Sequence, residues 1–410
     1  MILISTLLLA ALVPLTIGAQ PSAPAALAPG VVIQVDDAAS AAAAIATARA
    51  GQVIVFAPGI YRFSGRRALW TSNAAGVTVQ ARKTGTVHLE FDMVEGIVVQ
   101  APRWTFENLD IRGVCATHDA CEHAFHVVGK ARQFVARNNT MVDFNSHIKI
   151  NGAGGDFPDG GLLEANTLRN SSARATAQAV TLIDLVGASG WTMRANLIAD
   201  FVKAGGDHTS YGAFAKGAGS GNRFERNVVL CEQQLRGAPG VRVGISLGGG
   251  GTGPAYCRDR ACVNEQEGSA IVANLIAHCS DEGIYLNRAA RSEIVHNSLI
   301  ATAGMMLRYP ETGARVEGNL VDGRIAVDKG ARLDGGDNLD TSLARRLLGS
   351  HPLRALFADV ERLDLRWTQG APRRPGKVPA TPADLCGGPR PLVPAYGAFE
   401  NGACLVPGKD

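Results

Sequence analysis

The sequence has little net charge and few aromatic residues for its 410-residue length. It contains 40 Lys and Arg residues against 37 Asp and Glu residues, a formal net charge of +3, and 6% aromatic residues. Nowhere do Lys and Arg form a run interleaved with aromatic side chains. Proteins that bind nucleic acids by neutralising phosphates need such basic surfaces. We therefore expect no nucleic-acid partner, and an anionic partner would have to bind a local patch.

Long apolar runs are also scarce. The single long run covers residues 2–18, and it is followed by Ala19-Gln20 and a stretch rich in Pro and Ala up to Gly30. This pattern is typical of a secretory signal, so we predict a signal peptide over residues 1–19 and a linker over 20–30. A retained N-terminal anchor is the alternative, because no basic residue precedes the run. No later segment reaches the roughly 20 apolar residues of a spanning helix, so we expect no stable membrane insertion beyond the signal segment.

Cysteines are few but even in number, and most lie in closely spaced pairs. Such spacing indicates disulfides and a secreted or periplasmic location. The predicted short-range pairs are Cys115 with Cys121, Cys257 with Cys262, and Cys386 with Cys404. Zinc is an alternative for the first pair, because Cys115, His118, Cys121 and His123 lie within nine residues.

The strongest pattern is a repeat in which an asparagine is surrounded by apolar residues. It occurs eight times, at Asn108, Asn139, Asn166, Asn196, Asn227, Asn274, Asn297 and Asn319. Spacings of about 22 to 47 residues are typical of a solenoid whose loops vary in length. Carboxamides at one corner of successive coils can bond to each other, so we predict an asparagine ladder. Cys231 and Cys279 each follow a ladder asparagine on adjacent coils and are predicted to pair.

Short strands account for the rest of each coil. Segments such as GAFAKG (212–217), GISLGG (244–249) and GIYLNR (283–288) alternate apolar and other residues between Gly or Asn turns. Each coil then holds at least two strands and no helix, which predicts an all-β solenoid over residues 31–340. Residues 38–50 are helical in propensity and are predicted to cap its start. Residues 341–410 are predicted to form a helical segment (342–366) and a disulfide-closed tail.

A resemblance follows from these features. The PGIY start, the Asn-marked coils and the closing DLCGGPRPLVPAYGAFE resemble secreted right-handed parallel β-helix proteins, over most of residues 31–404. That group is rich in polysaccharide lyases, hydrolases and epimerases. The resemblance implies a single-stranded right-handed parallel β-helix with an N-terminal helical cap and a C-terminal cap.

Alternation within the strands predicts which side chains point outward. Aligning the strands places one set on a common outer face, with Arg242 entering at the start of its strand: His126, Lys149, Asn151, Phe214, Lys216, Ser246, Tyr285, Asn287 and Arg308. Such a cationic, aromatic and hydrogen-bonding face suits an acidic polysaccharide, whose carboxylates pair with Lys and Arg. His126, Lys149, Asn151, Phe214, Tyr285, Asn287 and Arg308 are therefore predicted to bind substrate.

The segment YGAFAKGAGSGNRFERN resembles the catalytic coil of the chondroitinase B and alginate lyase family, in which a Lys base is followed one coil later by an Arg. The resemblance implies that Lys216 is the base and Arg242 the counterpart of the Arg. Removing the C5 proton of a uronate needs such a base and a cation that stabilises the developing charge. Arg242 or a bound Ca²⁺ would be that cation. Asp207 is the candidate metal ligand, and His208 and Tyr211 are candidates to share proton transfer.

Other functions stay open at this stage. A glycoside hydrolase needs two outward carboxylates, and Asp184 is the nearest candidate. A C5 uronate epimerase uses the same proton abstraction as a lyase, and a non-catalytic glycan-binding or surface-structural β-helix needs no chemistry. Asp156 and Asp159 are predicted to shape a Gly-rich loop, with Ca²⁺ binding as the alternative. The insertion at 248–268 is expected beside the cleft, as a lid or a partner contact.

Overall fold

The computed structural model describes residues 30–65, 68–249, 251–341, 343–374, 377 and 381–402. The predicted signal peptide, residues 1–19, lies outside these ranges. From residue 32 the chain winds into coils, and a complete coil contributes one strand to each of three parallel sheets, in the order first, second, third. Equivalent strands of successive coils pair in register, for example Phe125 with Ile148 and Ile148 with Ile183. The predicted right-handed parallel β-helix is confirmed.

The strands are short. The first sheet has twelve: Val32–Val35, Val53–Phe56, Thr78–Ala81, Thr105–Glu107, Val135–Arg137, Leu162–Glu164, Thr192–Arg194, Arg223–Glu225, Ala270–Val272, Ser292–Val295, Gly313–Glu317 and Arg332–Gly335. The second has eleven: Gly59–Ser64, Val87–Asp92, Asp110–Gly113, Thr140–Val142, Thr167–Arg169, Leu197–Ala199, Val228–Leu230, Leu275–Ala277, Ser298–Ile300, Leu320–Val321 and Leu339–Asp340. The third has ten: Leu69–Trp70, Glu95–Val99, His123–Val128, Ser146–Asn151, Val180–Val186, Thr209–Lys216, Val241–Leu247, Ile284–Asn287, Gly304–Arg308 and Arg324–Asp328.

Further elements lie on the loops and at the ends. Gly219–Ser220, Gln266–Glu267 and Ala289–Ala290 form a small parallel sheet, and Phe357–Asp359 pairs antiparallel with Asp364–Trp367. The helices are Ala38–Thr47 and Leu343–Leu347, with 3-10 turns at His118–Ala120, Pro254–Tyr256 and Pro352–Leu356. Among the described residues, no helix has the length and apolar character needed to cross a bilayer.

The interior of the coils is a narrow apolar stack. Inward positions of the third sheet repeat as Phe125, Ile148, Ile183, Ala213 and Ile245, all fully buried. Because side chains alternate across a strand, the residues between them face outward along one side of the molecule. Neighbouring outward positions are spaced about 4.8 Å apart from coil to coil, and one such row is His126, Lys149, Asp184, Phe214 and Ser246.

The asparagine ladder forms at the corner between the first and second sheets. Asn166 donates through Nδ2 to Asn196 Oδ1 at 3.0 Å, and Asn196 does the same to Asn227 at 3.0 Å. The ladder runs through Asn139, Asn166, Asn196, Asn227, Asn274, Asn297, Asn319 and Asn338. The prediction is confirmed with two corrections at its ends.

Asn108 is not part of the ladder, and Asn338 extends it. On the coil of Asn108 it is the backbone N–H of Leu109 that donates to Asn139 Oδ1, at 3.0 Å. Asn108 instead accepts from Asn138 at an exposed position one residue earlier. The FENLDI segment is therefore offset by one residue from the repeat, and its asparagine occupies the outer position of the corner.

The ends of the coil stack differ in how well they were predicted. The N-terminal helix Ala38–Thr47 is confirmed, is capped by Asp37, and buries Ala41 and Ile45 over the first coil. The long helix predicted over 342–366 is wrong. Among the described residues only Leu343–Leu347 is α-helical, because Leu353, Leu363 and Leu365 pack against the outer face of the second sheet instead of lining one helical stripe.

The C-terminal segment packs back along the β-helix. Its apolar residues Leu353, Phe357, Val360, Leu363, Leu365, Leu385, Ala398 and Phe399 form one cluster with the outward residues of five second-sheet strands. Those outward residues include Leu230, Leu275 and Ile300, all of them buried. The segment therefore covers an apolar strip on the outside of the second sheet.

Three of the predicted disulfides are present: Cys115 with Cys121, Cys231 with Cys279, and Cys257 with Cys262. The zinc alternative for Cys115 and Cys121 is wrong, because their sulfurs are bonded to each other and His118 Nδ1 accepts from the Ala175 N–H at 2.6 Å. The fourth predicted pair stays a prediction, since Cys404 lies outside the described residues.

Candidate functional site

The outer face of the third sheet bears a pocket with a basic floor. His126, Lys149, Asn151 and Lys216 project from neighbouring strands of that sheet, and Val186 completes the floor. The structure thus brings together four of the residues predicted from alternation. We call this cavity of about 530 Å³ the basic pocket.

Two loops form the walls of the basic pocket. One is the 152–157 loop, which follows the strand Ser146–Asn151 and contributes Phe157. The other is the 251–260 loop, part of the predicted insertion, which contributes Tyr256 and Arg260. The insertion therefore lines the cleft, as expected, and its side chains enclose the space above the strands.

An ion pair ties the two walls together. Arg258 Nη1 and Nη2 donate to the Asp159 carboxylate at 2.7 and 2.9 Å, and the guanidinium lies 4.7 Å from the centre of the Phe157 ring. Asp159 also accepts from the Ser189 N–H at 2.9 Å. These contacts agree with the prediction that Asp159 shapes its loop. The disulfide between Cys257 and Cys262 closes the opposite wall beside Arg258.

Lys216 is distinguished by its surroundings. Its Nζ lies 4.3 Å from the centre of the Phe214 ring, and among the described residues no carboxylate pairs with it. Burial lowers the pKa of the Lys216 amine, and the charge of Lys149 acts in the same direction. Asp184 and Glu265 oppose that shift. A partly desolvated amine of this kind can accept a proton more readily than an exposed lysine held by a salt bridge.

Lys149 has a different environment. Its Nζ is 2.6 Å from Asp184 Oδ2, and the Asp184 side chain is only 6% exposed. Asp184, the candidate carboxylate for a glycoside hydrolase, therefore forms a salt bridge with Lys149. Lys149 contributes positive charge to the pocket while remaining fixed to the neighbouring strand.

His126 is fixed on both sides. Its Nδ1 lies 2.7 Å from Glu95 Oε1, and its Nε2 lies 2.7 Å from Asn151 Oδ1. The hydrogen bond from His126 lowers the pKa of Glu95. This arrangement positions the imidazole at the edge of the basic pocket, with Asn151 as its second partner.

Sequence reasoning missed two glutamates beside this edge. Glu95 begins a third-sheet strand, and Glu122 directly precedes the next strand along the sheet. Burial raises the pKa of Glu122, and the charge of Glu95 adds to that rise. Burial also lowers the pKa of the adjacent His123 to about 4. The EGIVV segment carries the same strand pattern as the aligned runs, but the aligned outward position is Val98, and Glu95 lies opposite His123. Strand alternation therefore does not place Glu95 beside His126.

Arg260 was also missed. It lines the basic pocket from the 251–260 loop, and its Nη1 donates to the Ala255 carbonyl at 3.0 Å. Loop residues do not follow strand alternation, so no pattern in the sequence could have placed it.

The placement predicted for Arg242 is wrong. Its side chain is buried, pairs with Glu232, and donates to the carbonyls of Pro239 at 3.1 Å and Ala238 at 2.7 Å. It does not line the basic pocket. The inward and outward alternation of side chains breaks at Gly244, where an added Cβ would meet Ile276 of the interior. Side chains before this glycine therefore point to the opposite side of the sheet from the one that strict alternation predicts.

The predicted partners His208 and Asp207 lie far from Lys216. Both precede the 8-residue strand Thr209–Lys216, which at about 3.3 Å per residue separates them from Lys216 by roughly 25 Å. His208 is exposed, and Asp207 binds the buried Lys203 at 2.6 Å.

These positions do not fit a Ca²⁺ site beside Lys216. Among the described residues, the one group of three close metal-ligating side chains is Cys257, Asp259 and Cys262, and its two sulfurs form a disulfide. No step of the chemistry at Lys216 is therefore assigned to a metal.

The remaining predicted residues form a second part of the same face. Tyr211 contacts Phe214 edge-on with ring centres 5.6 Å apart. Asn287 donates through Nδ2 to the Tyr285 hydroxyl at 3.0 Å, and Arg308 lies beside Asp328. Phe214 is almost fully buried and separates this part from the basic pocket. The outer face thus carries two distinct depressions, with Lys216 in one and Tyr285 in the other.

Together the fold and the site define a class of protein, a right-handed parallel β-helix with a basic pocket on the outer face of its third sheet. No protein-family model and no curated protein sequence matches the chain. Solved structures do match it. Pectate lyase Pel9A is 11% identical, with 88% of this chain and 90% of that chain covered and a TM-score of 0.51.

A second match is ORF18 of Geobacillus virus E2, which is 10% identical with a TM-score of 0.53. The alignment covers 76% of this chain and 62% of that chain. The PL6 family polysaccharide lyase Pedsa3628 from Pseudopedobacter saltans also matches, at 14% identity, with 81% of this chain and 98% of that chain covered and a TM-score of 0.39. At these identities the likeness is one of fold, and the two matches with TM-scores above 0.5, pectate lyase Pel9A and ORF18, confirm the β-helix resemblance predicted from the sequence.

Proposed function

We propose that the protein is a polysaccharide lyase that cleaves an acidic, uronate-containing polysaccharide by β-elimination, with Lys216 as the base. The observation that carries the proposal is the environment of the Lys216 amine, which is partly buried on the floor of a basic pocket and has no salt bridge among the described residues. The fold shared with pectate lyase Pel9A supports a carbohydrate-active role. A secreted or periplasmic location belongs to the same proposal, since disulfides persist in oxidising compartments.

The reaction requires one proton to leave C5 of the uronate and one to reach the leaving oxygen. The neutral Lys216 amine takes the C5 proton, and the electrons of the C–H bond form the C4–C5 double bond as the C4–O bond breaks. The leaving oxygen takes a proton from water, and the hydroxide that remains takes the proton from the Lys216 ammonium, which restores the neutral amine. The products are a new reducing end and an unsaturated uronate, and no oxidant or reductant is consumed.

Negative charge accumulates on the substrate carboxylate as the C5 proton leaves. A cation close to that carboxylate stabilises the transition state. Because Arg242 is buried elsewhere, we assign this role to Arg260 and Lys149, which line the basic pocket with Lys216. Arg260 is exposed, so its guanidinium can form the paired hydrogen bonds that suit a carboxylate.

The test is to incubate the purified protein with uronate polymers and record ultraviolet absorbance of the unsaturated product. The panel is alginate, polygalacturonate, glycosaminoglycans and bacterial exopolysaccharides, each with and without a chelator. We expect absorbance to rise with the wild-type protein and to vanish with Lys216→Ala. Lys216→Arg keeps the positive charge but cannot be deprotonated, so it should bind polymer without cleaving it. The exposed Lys83→Ala is the matched control and should retain activity.

Three results would contradict the proposal, the first its assigned base and the other two the lyase reaction. Cleavage by Lys216→Ala would remove the assigned base. Hydrogen exchange at C5 without absorbance would identify an epimerase. Retention of polymer on the protein with neither signal would identify a glycan-binding module.

A further inference from the structure

A second depression lies on the third sheet beyond Phe214. It has a volume of about 240 Å³ and is lined by Tyr211, Val241, Val243, Asp281, Glu282, Tyr285, Met306 and Arg308. We call it the tyrosine hollow. Its size is below the roughly 300–1,000 Å³ typical of sites for drug-sized ligands, which suits a single sugar unit.

The hollow exists because one coil has short outward side chains. Tyr211 pairs in register with Val243, and Phe214 with Ser246, which in turn pairs with Tyr285. The strand of Tyr211 and the strand of Tyr285 are therefore two steps, or about 10 Å, apart. Tyr285 is in register with Phe214, three residues along from the partner of Tyr211, so the two tyrosines border the hollow at diagonal positions. Both line the same depression, so a sugar ring bound there can contact either one.

The charge of the hollow differs from that of the basic pocket. Asp281 and Glu282 both line it, and among the described residues no cation lies within ion-pair distance of either carboxylate. Arg308 is the cation in the lining, and its Nε is 3.3 Å from Asp328 Oδ2 outside the hollow. Burial, together with a hydrogen bond to Asp281, raises the pKa of Glu282 to about 7. The two acids therefore offer acceptors for hydroxyl or ammonium groups and repel a further carboxylate.

We propose that the tyrosine hollow is a second sugar-binding subsite, selective for a sugar unit without a carboxylate, whether neutral or amine-bearing. Tyrosine rings provide apolar faces for the sugar ring, and the paired acids accept from its polar groups. The substrate class that follows rests on the proposed function, in which the basic pocket binds the uronate. The substrate is then a mixed polymer in which uronate alternates with a non-acidic sugar, and not a polymer of uronate alone.

The experiment measures binding separately from cleavage. Full-length Lys216→Ala protein is run in affinity electrophoresis through gels containing alginate, polygalacturonate, hyaluronan, heparosan or N-deacetylated heparosan. The last three alternate a uronate with an amino sugar, and the last carries a free amine. We expect at least one mixed polymer to retard the protein about three- to tenfold more strongly than either homopolymer, the range that an aromatic contact supplies.

Variants then assign that difference to the hollow. Tyr285→Ala and the double variant Asp281→Asn with Glu282→Gln should lose the preference while keeping the retardation by homopolymers. Glu90→Gln, on the second sheet, is the matched control and should keep the preference. Equal thermal unfolding midpoints would establish that the variants are folded.

The outcomes separate the two proposals. Three results would overturn the subsite. The first is retardation by the homopolymers that is as strong as retardation by every mixed polymer, and the second is a preference that is unchanged in Tyr285→Ala. The third is the absence of retardation by all five polymers. A preference that follows the hollow, combined with wild-type protein that produces no ultraviolet absorbance, would retain the subsite and reject the lyase.

Discussion

Lys216 and Lys149 both line the floor of the basic pocket, but their side chains have different environments. Lys149 is held by Asp184 at 2.6 Å, whereas Lys216 packs over the Phe214 ring without a carboxylate partner among the described residues. A salt bridge favours the charged form of a lysine, and burial without one favours the neutral form. Lys149 thus supplies a positive charge that is fixed in place by Asp184, and Lys216 supplies the amine that can gain and lose a proton.

This difference predicts a pH profile. Burial lowers the pKa of Lys216 below that of an ordinary lysine, about 10.4, and the base acts in its neutral form. We therefore expect kcat/KM on the cleaved polymer to rise with pH through this lowered pKa and then level off. The measurement is initial absorbance rate against pH at low substrate concentration. A rate that falls as pH rises across this range would exclude an amine base.

Arg242 is expected to matter for stability and not for chemistry. Its guanidinium is buried and pairs with Glu232 and two carbonyls, so Arg242→Ala leaves the mostly buried Glu232 carboxylate without its cation. Breaking such a buried pair costs about 3–5 kcal/mol in the free energy of unfolding. Urea unfolding measures that loss, and kcat of the folded variant should match the wild type. Normal stability with a large loss of kcat would restore the catalytic role implied by the family resemblance.

At the scale of elements, the ladder corner is held by side chains as much as by strands. Asn196 accepts from the backbone N–H of Asn166 at 2.9 Å and donates to the Leu163 carbonyl at 2.9 Å, in addition to its asparagine partners. Each carboxamide therefore satisfies backbone groups that the tight corner leaves without strand partners. Because the bonds between successive asparagines join adjacent coils, the ladder fixes the register on which the outer face depends.

Replacing a central member of the ladder should be costly. Asn196→Ala removes several bonds and leaves a buried N–H of Asn166 and a buried C=O of Leu163 without partners, at about 1–3 kcal/mol for each. Asn338→Ala, at the less buried end of the ladder, should cost less. Urea unfolding of both variants gives the comparison. Equal losses at the two positions would mean that the ladder bonds contribute little beyond local packing.

At the scale of the whole molecule, the second sheet has an outer face that changes character along the β-helix. Its N-terminal half carries charged outward residues such as Arg112 and Arg169, and its C-terminal half carries Leu230, Leu275 and Ile300. Apolar residues on the outside of a sheet need a cover, and the C-terminal segment provides it. Leu353, Leu363 and Leu365 are thus explained by the strip they cover, whereas Leu347 and Leu348 are exposed.

The cover should contribute to global stability. Leu365 is fully buried in this cluster, so Leu365→Ala is expected to lower the free energy of unfolding by about 2–5 kcal/mol. Leu392→Ala, at a side chain 82% exposed in the same segment, should change it by less than about 0.5 kcal/mol. Denaturant unfolding followed by circular dichroism compares them. Two equally mild variants would indicate that the segment unfolds separately from the coils.

Part of the site was predictable because its residues repeat with the coil. His126, Lys149, Asn151 and Lys216 stand at outward positions of aligned strands, and the structure brings them into one pocket. Arg242 was misplaced because Gly244 interrupts the alternation of side chains. A shift of one residue moves every preceding side chain of the strand to the other side of the sheet. Arg260 and Phe157 could not be placed, since they reach the pocket from loops whose paths depend on tertiary contacts such as Arg258 with Asp159.

The amino-acid sequence by itself determined the winding, the asparagine corner and the residues available on one outer face. These properties are periodic, and a period is a local pattern that each coil repeats. Only the tertiary structure decided which cations remain accessible, that the 251–260 loop encloses Lys216, and that Leu353, Leu363 and Leu365 cover the second sheet. Those outcomes depend on contacts between residues far apart in the chain, such as Arg258 and Asp159, and no local pattern encodes which distant partner will fill a given space.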